Sequence, residues 1–176
     1  MNWMVFIGLA VLLAIVSLVW GFIRITRRTA DAVALLSSVE EKDIEPLTAE
    51  CIRICHDKLG VTLTLSNFED TSQSLDYVLE PTQRTRMKTA FAIPGHSGHF
   101  VLPLGAFIGE FVRAQNPEAR WSARTKGGLA MEFPQNDAVM TMYPFDKVLK
   151  HAATGKPGEI LAYLQVAAGR SASRAN

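Results

Sequence analysis

Hydrophobic and polar positions divide this chain into two unequal parts. From Trp3 to Ile23 no side chain is charged, a run of 21 residues. At about 1.5 Å of rise per residue such a run would cover roughly 30 Å, the hydrocarbon thickness of a bilayer, and it predicts a transmembrane helix. Trp3 and Trp20 fall near its ends, where amphipathic rings suit the membrane interfaces. Ala10, Ala14, Ser17 and Gly21 form a small-residue stripe of the kind that allows close helix packing in lipid. Only Met1 and Asn2 precede the run, and Arg24, Arg27 and Arg28 come just after it. That order argues against a cleaved leader, although Ala30-Asp31-Ala32 has the form of a cleavage site. Because basic residues collect on the cytoplasmic side, the arginine cluster places everything after residue 23 in the cytoplasm. The same guanidinium groups can meet anionic lipid head groups.

Past the anchor the apolar positions become periodic. Residues 24–46 read as a juxtamembrane helix or linker with Val33, Leu35, Leu36 and Val39 on one side, broken at Asp43-Ile44-Glu45-Pro46. Leu47, Cys51, Ile54, Cys55 and Leu59 then recur at helical spacing up to Gly60, with Thr48 or a neighbour as cap. Val61 to Leu65 alternates and predicts a strand. After a polar break at residues 67–71, Ser74 to Glu80 predicts a short helix stopped by Pro81. Residues 82–99 lack a clear period and read as an irregular loop.

Leu104, Phe107, Ile108, Phe111 and Val112 mark the strongest helix, with Pro103 in its first turn. Gly105 and Gly109 share one side of it and predict a close backbone approach, whereas Glu110 and Arg113 are placed to pair in solvent. Three alternating segments come next, at 120–124, 129–133 and 138–143, joined by short turns, and predict an antiparallel meander. Two helices, near 145–153 and 157–167, close a domain spanning 47–168, and residues 169–176 form a polar tail expected to be disordered. The expected class is therefore α+β: a small meander packed with several helices, behind one membrane helix.

Charge and chemistry narrow the function only by exclusion. The chain carries 18 basic and 17 acidic residues, a net charge of +1, which does not favour a nucleic-acid partner. The two cysteines, Cys51 and Cys55, are too few for a disulfide framework and suit a reducing compartment. With His56 they make C-x3-C-H, one residue longer than a haem-attachment string, and helical spacing favours core packing over a metal. Gly95-His96-Ser97-Gly98-His99 departs from a nucleophile elbow, because the second glycine comes directly after the serine. His96 and His99 could share a metal, but no neighbouring carboxylate completes the set. Arg84, Arg86 and Lys88 could meet an anion. Together with His96, Ser97 and His99 they make the 84–99 segment the expected interaction loop.

Leu104-Gly105-Ala106-Phe107-Ile108-Gly109-Glu110, then Trp121, a glycine-rich turn, and Pro144-Phe145-Asp146-Lys147-Val148 resemble small bacterial α+β domains of uncharacterised function. Those domains carry an LGAYxGE-type helix, a tryptophan strand and a PFxKV helix start. The resemblance covers roughly residues 50–165 and implies a bacterial origin and an α+β fold, but it brings no catalytic residue and no cofactor. The resulting expectation is a single-pass inner-membrane protein whose cytosolic domain binds another protein without catalysis. The alternatives are a metal-dependent enzyme or sensor at His96 and His99, and an immunity protein that neutralises a toxin.

Overall fold

The computed structural model describes residues 36–91, 100–123, 129–135 and 138–169, together with Ser17 and Ala34. The Trp3–Ile23 run, Arg24, Arg27, Arg28, the 92–99 segment and the tail beyond 169 lie outside the described residues. No helix among the described residues is long and apolar enough to cross a membrane.

The described part is α+β, with helices α1 (Ile44–Ile54), α2 (Phe68–Leu79), α3 (Arg84–Ala90), α4 (Val101–Gln115), α5 (Pro144–Thr154) and α6 (Glu159–Ala167). Strands β1 (Arg120–Ala123), β2 (Leu129–Gln135) and β3 (Ala138–Met142) form one antiparallel sheet in that order. The meander expected from the alternating segments is present, with Trp121 opposite Met131 and Met131 opposite Met142 on the buried face. Pro134 lies inside β2 rather than in the turn, opposite Val139.

Helix α4 is the centre of the domain. Almost every residue from Val101 to Val112 is buried, which is the mark of a helix enclosed on all sides. It packs against α1 on one side and α5 on another, and Phe111 stacks with Phe68 of α2 at 5.6 Å. The two glycines work as their spacing predicts. A Cβ at Gly105 would overlap Phe145, and one at Gly109 would overlap the indole of Trp121. The rings of Trp121 and Phe145 lie 5.9 Å apart, so sheet and α5 seat side by side on the same helix.

Four local expectations are corrected. Helix α1 begins at Ile44, so Pro46 falls in the first turn, where its missing N–H has no helical partner to lose, and Thr48 is buried instead of capping. The helix ends in a π-helical turn, Cys55–Leu59, closed by Gly60 at φ 69° with Val61 N–H donating to Cys55 O at 2.9 Å. Val61 to Leu65 forms no strand and ends in a bend at Leu65. Thr71 Oγ1 accepts from Thr64 N–H at 3.2 Å and donates to Thr64 O at 2.8 Å, and Gln115 donates to Leu65 O.

Helix α2 starts at Phe68, not Ser74, because Asn67 caps it by accepting from Asp70 N–H at 3.2 Å. Finally, residues 84–90 of the supposed loop are helix α3. Side chains tie it reciprocally to the end of α1: Lys58 Nζ donates to Ala90 O and Arg86 donates to Leu59 O, both at 2.9 Å.

Gly109→Ala should lower stability by about 1–3 kcal/mol, since the methyl group must displace the Trp121 indole from a packed core. Urea denaturation of the purified chain measures this directly, and an unchanged midpoint would show that the indole can yield.

Candidate functional site

Two places concentrate polar groups or exposed apolar surface, and both are positioned from α4. The first begins at Glu110. Although its spacing from Arg113 reads as a surface pair, its side chain turns inward and is only 8 % exposed as a residue. It accepts from Trp121 Nε1 at 2.7 Å and from Arg113 at 2.5 Å, which places a charge-assisted hydrogen bond beneath the sheet. The expected pair with Arg113 forms, with the arginine 49 % exposed, but Glu110 itself is buried: the indole N–H, once seated against Gly109, needs an acceptor, and Glu110 is the neighbouring one.

This fixes β1, and through β2 the outermost strand β3, where Val139 is 71 % and Met140 40 % exposed. On the outer side Glu118, Arg120 and Glu132 border a shallow depression that also contains Phe133, Pro134 and Val139. An apolar centre with a charged rim is the anatomy of a protein contact.

The second place is the α5–α6 turn. Asp76 of α2 accepts from the backbone N–H groups of Gly158 at 2.7 Å, Ile160 at 3.3 Å and Leu161 at 3.4 Å, capping α6 from another element. Lys147 Nζ donates to Glu159 Oε1 at 2.5 Å and lies 5.3 Å from the centre of the Tyr163 ring. Behind them His151 is wholly enclosed, and neither ring nitrogen has a hydrogen-bond partner. Its Nδ1 lies 3.5 Å from Glu159 Oε2. Gly155 closes over the ring, and a Cβ there would overlap the imidazole. The Lys147 ammonium and then the Lys156 N–H hold the Glu159 carboxyl at about 2, while burial raises the Tyr163 phenol.

Of the interaction residues singled out from the sequence, the structure describes Arg84, Arg86 and Lys88. On α3, Arg84 and Lys88 are one turn apart, whereas Arg86 is committed to the Leu59 carbonyl and serves packing. His96, Ser97 and His99 lie outside the described residues. Cys51 and Cys55 are fully buried, and burial pushes the Cys51 thiol well up; His56 points outward to Asp57 at 2.9 Å. Among the described residues no group of three or more His, Cys, Asp or Glu is placed to hold a metal. Sequence reasoning missed His151 and Asp76 altogether. The small Gly155-Lys156-Pro157-Gly158 turn beside a helix-face histidine was the available signal.

No family model, curated protein or solved structure matches this chain.

The depressed Glu159 carboxyl has a sign. Its contribution to stability is complete above its ordinary 4.5 and is lost as the pH falls through about 2. The side chain is 44 % exposed, so solvent screening keeps the effect small. Thermal midpoints measured across that window should fall less steeply for Glu159→Gln than for the wild type; parallel curves would contradict the pairing with Lys147.

Proposed function

We propose that this chain is a membrane-tethered bacterial accessory protein whose α+β domain binds another protein through the sheet and carries out no chemistry of its own. The reading takes the charge-free Trp3–Ile23 run as a single-pass inner-membrane anchor. Arg24, Arg27 and Arg28 behind it keep the domain cytoplasmic. The observation that carries the binding role is Val139, 71 % exposed on the outer face of the outermost strand, opposite Pro134.

A single exposed apolar side chain is ordinary on a surface; Val139 beside the exposed Pro134 and a rim of Glu118, Arg120 and Glu132 is a better contact centre. This moves the expected contact from the 84–99 segment to the sheet, because Arg86 is already spent on the fold. A partner needs an apolar anchor to cover Val139 and polar groups to meet the rim.

A photocrosslinking residue placed at position 139 of the full chain, in intact bacterial membranes, should give one discrete protein adduct. The same probe at Arg53, on exposed α1 surface, should give none. Equal labelling at the two positions, or no adduct from position 139, would contradict the assignment of this surface.

A further inference from the structure

An open strand edge presents main-chain groups to any other strand, so folded proteins blunt such edges with charges, prolines or very short strands. The two edges of this sheet differ in that respect. Strand β1 is four residues long and carries Arg120. Strand β3 reads Ala-Val-Met-Thr-Met, pairs with β2 on one side, and holds neither a charge nor a proline. Of the four exposed large hydrophobic side chains among the described residues, two, Val139 and Met140, lie on this strand. They point to opposite faces: Val139 opposite Pro134 on the outer face, Met140 opposite Phe133 at the rim of the buried one. We propose that β3 pairs antiparallel with β3 of a second copy of this chain, about a two-fold axis at Met140.

Charge selects the occupant. Strand β3 offers no counter-charge to a basic or an acidic strand, and it repels nothing of its own kind. The one charged side chain of β2 is Glu132, a strand further in and opposite Thr141. In the pair the two Glu132 carboxylates are three strand spacings apart, about 14 Å, past the ~8 Å screening length of physiological salt. The apolar side chains match as well. Val139 lies opposite Thr141 of the second copy, two β-branched residues on one face. Met140 lies beside Met140 of the second copy, and a flexible thioether fills an irregular contact well.

The arrangement also closes. Pairing uses both β3 edges and leaves a β1 strand with its Arg120 at each end, so the contact stops at two copies and does not propagate. Both outer faces fall on one side of the joined sheet. Val139 and its rim therefore still face the partner proposed above, and the pairing does not rest on that reading. Five residues a side is far below the roughly 20–30 of a standard stable interface, so the pair exchanges readily and calls for trapping.

Disulfide trapping in the purified full chain tests the register. Cys51 and Cys55 are fully buried and stay out of the reaction. With Met140→Cys the two-fold axis sets the new thiols on Cα atoms about 4.5–5.5 Å apart, within disulfide reach, and air oxidation should give a linked dimer. Ala138→Cys, on the same face, comes to lie opposite Met142 of the second copy, about 13 Å from its own counterpart, and should give none. Both positions are exposed, so neither variant disturbs the core. No linked dimer from Met140→Cys, or equal linking at the two positions, would overturn the pairing. Neither result bears on the partner reading, whose adduct is to a different protein.

Discussion

The fold depends on how closely an indole can approach a helix backbone. Trp121 lies where a side chain on residue 109 would otherwise be, and only glycine leaves that space. Seating the ring there removes its N–H from water, and Glu110, the next residue along α4, accepts it at 2.7 Å. Gly105, one turn earlier, gives Phe145 the same access, and the two rings meet at 5.9 Å. Three elements distant in sequence, β1, α5 and α4, are thereby locked into one arrangement. A glycine in a helix interior costs about 1 kcal/mol in isolation, so the gain must come from the buried aromatic area.

That lock gives the domain a closed side and an open side. Helices α1 and α2 pack on α4, α3 is stitched to the end of α1 by side-chain-to-carbonyl bonds from Lys58 and Arg86, and Gln115 of α4 donates to Leu65 O. On the other side the sheet buries Trp121, Met131 and Phe133 while turning Val139 outward. The last two helices are attached differently again, through Asp76 and the Lys147–Glu159 pair, over a buried histidine that makes no hydrogen bond. The sheet edge and the α5–α6 turn are both remote in sequence from residues 84–99.

Periodicity made much of this legible. The stripe from Leu104 to Val112, the paired glycines and the three alternating segments are local patterns, and local patterns carry element type well. The LGAxxGE, Trp and PFxKV residues prove to be one contact set: Gly105, Gly109 and Glu110 meet Trp121 and Phe145. The hidden features were set by non-local partners. Glu110 looks like half of a surface pair until Trp121, eleven residues on, demands an acceptor. Helix α3 has only Met87 and Ala90 to bury, so no stripe announces it, and its end is satisfied from α1. Val61 to Leu65 alternates like a strand, yet a threonine side chain supplies the hydrogen bonds a neighbouring strand would have made. His151 is enclosed by the turn that folds over it at Gly155, and only that small turn hints at the enclosure in the sequence.

A double-mutant cycle between Trp121→Phe and Glu110→Ala, read by urea denaturation of the full chain, tests the central claim most directly. If the buried indole–carboxylate bond holds the sheet on α4, the two substitutions will be coupled by about 1 kcal/mol or more, within the range for residues in direct contact. Additive losses would mean that the ring is held by packing alone and that Glu110 is incidental to the arrangement.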